Sequence, residues 1–314
     1  MVLREEWRGT IPEPSVSRVP EKRSRRHCVF IAAVAVTVAI GLRLGATEVG
    51  ASDLEHYGAH TLVLLRHGES EWNLENRFTG WVDVDVSEKG AEEAIHAGKL
   101  MHNANLSLDV AFTSYQKRAI KTLNLALEEM NALWIPVTKS WKLNERMYGD
   151  LQGLDKKETS EQFGEEKVSK WRRSFAVPPP PIKEDSPYHP KLDPKYKNVP
   201  AKKLPTTESL SSTIERVMPF FKSSIAPELR KGKKVLVAAH GNSLRALVKY
   251  LDDLPEEKIV GLNIPTGVPL VYRLNHQLKP VALPGHTELI SGVYLGDPAW
   301  VQSKIDGVKN QAHG

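Results

Sequence analysis

From Thr61 onward, short apolar runs alternate with segments in which apolar residues recur at helical spacing, the pattern of an α/β domain. Strands are predicted over Thr61–Leu65, Asp109–Thr113, Val235–Ala239 and Pro269–Leu274, runs rich in aliphatic residues and too short for stable helices. Between them, Ala91, Ala94, Ile95, Gly98 and Met101 fall on one helical face, with Ser87 placed to cap its N-terminus. A second helix is predicted from Ala119, Ile120, Leu123, Ala126, Leu127 and Met130, and a third from Leu210, Ile214, Val217, Met218 and Phe221. Helices that follow strands in this way are what βαβ construction requires. No internal repeat of solenoid period is present.

Two stretches break the pattern. Val177–Pro205 carries nine prolines mixed with lysines, so it can be neither a helix nor a central strand. A loop of that length either rims or covers a site or makes a passive surface excursion. Near the N-terminus, Arg23–Arg26 reads R-S-R-R and is followed by an uncharged apolar run from Cys28 to Leu42. That run is shorter than the roughly 17–25 residues of a spanning helix and close to the apolar region of a signal peptide. Three readings stay open: a cleaved targeting presequence, a retained anchor contacting a membrane through residues 28–42, or an inert extension. The four glutamates ahead of the run weigh against a simple mitochondrial presequence, which is acid-poor. The expected division is an extension over 1–59 and a catalytic domain over 60–314, whose tail spans 275–314. An organelle-targeted or membrane-anchored location is favoured, with a cytoplasmic catalytic domain as the alternative.

Composition narrows the chemistry. With 40% hydrophobic and 26% charged residues in 314, the chain can bury a sizeable core. Residues 1–43 hold eight Lys/Arg against four Glu, so four of the five net positive charges lie there and the remainder sums to +1. A broad nucleic-acid-binding face is therefore not expected, and phosphate affinity must come from local arginines. The single cysteine, Cys28, rules out an intrachain disulfide and a cysteine-based zinc site.

Two of the predicted strands end alike: Leu64-Leu65 runs into Arg66-His67-Gly68, and Ala238-Ala239 runs into His240-Gly241-Asn242. Ligands of open α/β sheets bind beyond the carboxyl ends of strands, so both histidines fall where a site belongs. A glycine after each allows a sharp turn and close backbone approach. Neutral imidazole is a competent nucleophile near neutral pH and can hold a labile phosphoryl group. Such a transfer needs surrounding cations more than covalent helpers. Arg66 adjoins His67, and Arg118 lies where the strand ending Phe112-Thr113-Ser114 leads into a helix N-terminus, a natural anion position. His67 and His240 with Glu69 or Glu145 could also be read as metal ligands, but neither histidine belongs to an H-x-x-x-H motif and arginine beside a ligand is unfavourable. Walker and dinucleotide fingerprints are absent.

Leu64-Leu65-Arg66-His67-Gly68-Glu69-Ser70-Glu71-Trp72-Asn73, followed by Asn76-Arg77-Phe78-Thr79-Gly80-Trp81, closely resembles the signature of cofactor-dependent phosphoglycerate mutases within the histidine phosphatase superfamily. Narrower matches follow at Ser140–Arg146, Tyr148–Leu154, Trp171-Arg172-Arg173, Ala239–Ala246 and Asn263–Leu270, so the resemblance spans His60 to Leu274. It implies a three-layer αβα fold with a mostly parallel central sheet. It further implies interconversion of 2-phosphoglycerate and 3-phosphoglycerate, as in glycolysis and gluconeogenesis, primed by 2,3-bisphosphoglycerate without a metal. By the same resemblance His67 is the residue phosphorylated, Glu145 the general acid/base, and His240 the second histidine at the transferring group. Arg66, Asn73 and Arg118 become phosphate ligands. Tyr148, Lys156, Arg172 and Arg173 become substrate contacts, with Thr79, Gly80 and Asn242 lining the pocket. The family forms dimers or tetramers, which makes a homo-oligomer the expectation here. Bisphosphoglycerate mutase and phosphatase activities share the nucleophile, and a non-catalytic binding protein is disfavoured because His67, Glu145 and His240 are all present. The chain departs from the pattern at Met147, where histidine is common, and at Pro284–Gly292, an insertion beside the family's mobile tail. The second departure bears on the balance between mutase and phosphatase, since a tail that excludes water protects phosphohistidine.

Overall fold

The strand expected at 61–65 forms as β1 (His60–Arg66), and its alternation sets the architecture. Leu62 and Leu64 enter one hydrophobic core, while Val63 and Leu65 enter another on the opposite face, because side chains two apart share a face. The computed structural model describes residues 57–310. The apolar stretch at 28–42 and nearly all of the expected 1–59 extension lie outside them.

The helix expected after Ser87 is α1 (Glu88–Asn103), where the Ser87 side chain accepts from Gly90 N. Next come β2 (Val110–Thr113), α2 (Lys117–Glu129) and β3 (Val137–Lys139). Two helices, α3 (Lys156–Phe163) and α4 (Glu165–Arg173), precede the proline-rich excursion, and α5 (Leu210–Phe220) follows it. Then β4 (Val235–Ala239), α6 (Gly241–Leu251), β5 (Leu270–Leu274), β6 (Pro280–Val281), β7 (Val293–Tyr294) and α7 (Pro298–Asn310) complete the order, with shorter helical turns between. Ala97 and Met101 of α1 and Leu123 and Leu127 of α2 cover one sheet face. Val217 of α5 and Leu244, Leu247 and Val248 of α6 cover the other. Helices on both faces make the expected three layers.

The sheet runs β3-β2-β4-β1-β5-β6, with β7 also paired to β5. It is less parallel than expected. The β3, β2, β4 and β1 strands are parallel neighbours, but β5 is antiparallel to β1, β6 and β7. The β5–β6 connection is a tight turn in which Asn275 N donates to Lys279 O at 2.8 Å, and so short a link allows only antiparallel pairing. The unpredicted strands β3, β6 and β7 hold three, two and two residues, too few for any periodicity.

Val177–Pro205 forms neither α-helix nor strand but three short 3-10 turns at Pro190–Leu192, Pro194–Tyr196 and Ala201–Lys203. It carries its own small core, in which Ile182 and Tyr196 pack with Trp81 and Met147. Backbone bonds from Ile182 N to Thr206 O and from Asp150 N to Pro180 O, at 2.8 and 2.9 Å, fasten it. Among the described residues, no helix is long and apolar enough to cross a membrane.

Candidate active site

Parallel pairing of β1 with β4 places Arg66 opposite Ala239, so His67 and His240 leave the sheet side by side. The His67 backbone N–H continues the ladder to Ala239 O at 3.0 Å, and the two imidazole centroids lie 5.0 Å apart. Pairing of β2 with β4 brings Ser114 and Arg118 to the same edge. The glycines that follow the histidines serve differently from the expectation. Neither has a positive φ. A Cβ at Gly68 would overlap the Gly90 carbonyl, so Gly68 lets the loop after β1 touch the start of α1. At Gly241 a Cβ would meet only ordinary contacts at 3.7 Å.

Hydrogen bonding fixes the state of His67. Its Nδ1 lies 2.7 Å from Gly68 O, and a carbonyl only accepts, so the proton is on Nδ1 and the lone pair on Nε2. Arg118 Nε donates to that lone pair at 3.3 Å. Burial, followed by the charges of Arg118 and Arg66, holds the His67 pKa well below the ordinary histidine value. His240 is fully buried; its Nε2 lies 2.8 Å from Ser114 Oγ. Burial, then Arg118 and His67, depresses its pKa likewise. Both rings are therefore neutral at neutral pH.

Glu145 follows a 3-10 turn at Trp141–Leu143 and is held from several sides. Its Oε1 accepts from Arg146 N at 2.7 Å, Asn242 N at 3.1 Å and Asn242 Nδ2 at 2.9 Å. Its backbone is fixed by Gln116 Oε1, which accepts from Glu145 N, and by Trp81 Nε1 and Arg216 Nη2, which donate to Glu145 O. One carboxylate oxygen is thus saturated, while Oε2 accepts no hydrogen bond among the described residues.

These groups line one cleft of about 860 Å³ including its mouth, within the range of small-molecule sites. Arg66, His67, Asn73, Thr79, Gly80, Arg118, Glu145, Tyr148, Lys156, Arg172, Arg173 and Asn242 all border it. His240 does not; it stands behind His67. The cleft walls also hold Arg77 and Arg245, making seven cationic side chains against one carboxylate, Glu145. Burial brings the Arg118 pKa down to about 10 and, with Arg172 and Arg66 nearby, that of Lys156 to about 8. Among the described residues, buried polar atoms without a hydrogen-bond partner include Arg66 Nε, Thr79 Oγ1 and His240 Nδ1. Asn73 commits Oδ1 to Ser70 N and Oγ at 3.1 and 2.9 Å, leaving its amide nitrogen to offer a ligand. The arrangement suits an anion with more than one charged group.

Sequence reasoning missed Arg77, Arg245, Asn263 and Val308 among the lining residues. A signal existed for Arg245, which sits three residues after Asn242 in α6 and hence on the same helix face. For Val308, on α7, no local signal existed. Lys304 of α7 pairs at 2.9 Å with Glu93, which in turn accepts from Glu69 N at 2.9 Å, so the tail helix is tied to the loop that carries His67. The Pro284–Gly292 insertion is anchored as well, through buried Ile290 and a bond from Ser291 N to Asp252 at 2.9 Å. Met147 lies in the core beside Trp81, and its backbone N donates to Glu208 Oε2 at 2.8 Å. No residue of 177–205 lines the cleft; the excursion buttresses Trp81 and Met147 rather than covering the site.

Among known proteins, the family model described as "Histidine phosphatase superfamily (branch 1)" matches residues 62–190 and 182–278. A mycobacterial glucosyl-3-phosphoglycerate phosphatase in complex with VO3 is 22% identical over 70% of this chain and 96% of its own, with a TM-score of 0.54. Bacillus stearothermophilus YhfR is 22% identical over 73% and 98%, with a TM-score of 0.55. The Shigella flexneri alpha-ribazole phosphatase is 20% identical over 76% and 100%, with a TM-score of 0.54. At these identities the likeness concerns the fold.

Proposed function

The chain belongs to the histidine phosphatase superfamily, and within it we propose a phosphoglycerate mutase that interconverts 2-phosphoglycerate and 3-phosphoglycerate through phosphorylated His67. The observation that carries this reading is the charge of the cleft, seven cations with a single carboxylate beside a histidine whose Nε2 lone pair is fixed. A simple phosphate needs fewer cations than that; a small ester bearing phosphate and carboxylate uses them.

In the proposed reaction the His67 Nε2 lone pair forms a bond to phosphorus as the bond from phosphorus to the ester oxygen breaks. Glu145 returns a proton to that oxygen. In the return direction a substrate hydroxyl attacks the phosphohistidine, its proton passes to Glu145, and the P–N bond breaks. Arg66 and Arg118 offset charge on the transferring oxygens, and His240 supports them from behind. The orphaned Arg66 Nε and Thr79 Oγ1, together with the cationic walls, fit 2,3-bisphosphoglycerate, whose part is to supply the first phosphoryl group. Arg66, Arg118 and Asn73 would hold its phosphate near His67, and Arg172, Arg173 and Lys156 its other anionic groups. No step here calls on a metal.

A phosphatase with the same nucleophile is the second reading, favoured because two of the similar structures are of proteins named as phosphatases. The difference is whether water or a hydroxyl of phosphoglycerate intercepts phosphohistidine. Purified full chain with 3-phosphoglycerate and catalytic 2,3-bisphosphoglycerate is expected to form 2-phosphoglycerate faster than inorganic phosphate. Phosphate release without isomerisation establishes the phosphatase instead. Mutase activity lost to a chelator and restored by manganese overturns the metal-independent route.

A further inference from the structure

Three consecutive residues ahead of β5 each hold one arginine of the cleft. Leu262 O accepts from Arg245 Nε at 2.6 Å, Asn263 Oδ1 from Arg173 Nη1 at 3.4 Å, and Ile264 O from Arg66 Nη1 at 2.7 Å. The three arginines come from α6, α4 and β1, so this strap sets the spacing of guanidinium groups that no single element could place together. Its acceptors are all neutral. Among the described residues, none of the three arginines forms an ion pair within 4.0 Å. A carboxylate partner would orient a guanidinium and also neutralise it, whereas a carbonyl orients it and leaves its charge for a ligand.

Arg245 adds a second link. Its Nη1 donates to Asn242 Oδ1 at 3.3 Å, and Asn242 Nδ2 donates to Glu145 Oε1 at 2.9 Å. Its Nη2 makes no hydrogen bond among the described residues, although the side chain borders the cleft. Burial, then the neighbouring charge of Arg173, lowers its pKa to about 10, which agrees with guanidinium groups gathered without counter-charge.

We propose that Arg245, set by the Leu262–Ile264 strap beside Arg173, is a specificity-determining residue that binds the second anionic group of a small phosphate ester and fixes Asn242 against Glu145. The naming of that ester as a phosphoglycerate rests on the proposed function; the preference for two anionic groups over one does not. A lone phosphate can be satisfied by Arg66 and Arg118 near His67. A ligand with a carboxylate as well gains from Arg245.

Calorimetric titration of the full chain with 3-phosphoglycerate and, separately, with inorganic phosphate tests this. Arg245→Gln is expected to weaken 3-phosphoglycerate about 10-fold more than phosphate, the loss of a charge-assisted contact. Arg245→Lys keeps the charge but not the planar fork and should recover part of that ratio. Asn263→Ala, which releases Arg173 but neither of the other two arginines, should move the ratio about 3-fold in the same direction. Equal weakening of both ligands would show that Arg245 adds only diffuse positive potential, and no weakening of either would show that it only braces the strap; each overturns the inference. Labelling of wild-type His67 by 2,3-bisphosphoglycerate separates the two proposals. Absent labelling with a shifted ratio sinks the mutase reading alone, and labelling with an unmoved ratio sinks the role of Arg245 alone.

Discussion

His67 and His240 leave neighbouring parallel strands at matched heights, each followed by glycine, yet their hydrogen bonds assign them different work. His67, which borders the cleft, spends Nδ1 on the carbonyl of its own neighbour, and its Nε2 accepts from Arg118. His240 spends Nε2 on Ser114, lies behind His67, and retains a buried Nδ1 with no hydrogen-bond partner among the described residues. The same short motif on the same sheet edge therefore yields one ring able to take a phosphoryl group and one suited to supporting it. A hydrogen bond to a ring nitrogen, not the identity of the residue, makes the difference.

Breaking the comparison at its stronger side should have the largest effect. His67→Ala is expected to abolish acid-labile phosphate incorporation and lower turnover by about 10⁴-fold or more. His240→Ala should retain incorporation at a rate about 10²–10³-fold lower, the size of losing one donor to a transferring group. Rapid-quench labelling checks both, and labelling that persists in His67→Ala but vanishes in His240→Ala would reverse the two roles. Glu145→Gln should slow transfer to and from the substrate hydroxyl by about 10²–10⁴-fold, read from kcat with KM little altered.

Smaller effects sharpen the contrast. Ser114→Ala frees His240 Nε2 and should slow labelling about 10-fold without removing it. Because both histidine pKa values are held below the ordinary value of about 6.5, His67 stays neutral as pH falls through that value. Wild-type labelling is therefore expected to remain level between about pH 7.5 and 6.5; a half-maximal drop near 6.5 would show that His67 titrates as an exposed imidazole does. The smallest effect concerns Lys156. Its pKa is lowered to about 8, so it loses positive charge as pH rises through that value and KM for 3-phosphoglycerate should rise about threefold. In Lys156→Arg the guanidinium keeps its charge and that alkaline rise should disappear.

Much of this was legible along the chain. The four longer strands and the helices α1, α2 and α5 followed from period, and Ser87 acts as the expected N-cap. The paired strand ends carrying His67 and His240 also stood out, since both are local patterns. The helices α3, α4, α6 and α7 were not singled out by period, and what else failed was short or remote. β3, β6 and β7 have too few residues to show alternation. The antiparallel side of the sheet joins β5 to β1, which lies about 200 residues earlier in the chain, and to the short strands β6 and β7. The glycine after His67 was assigned a turn, but its need is set by Gly90, on another element. Met147 read as a missing polar contact, and its place beside Trp81, Ile182 and Tyr196 depends on where a proline-rich segment far along the chain returns.

By itself the sequence determined the α/β class, the residues that would stand at strand ends, and the kind of chemistry an arginine-flanked histidine permits, because periodicity and residue type act over a few neighbouring positions. Only the tertiary structure decided which nitrogen of each histidine is committed and that Glu145 has one saturated oxygen. It alone placed Arg66, Arg173 and Arg245 on one strap at Leu262–Ile264. These outcomes depend on hydrogen bonds between residues up to 198 positions apart, and a bond of that kind leaves no trace in the local pattern on either side.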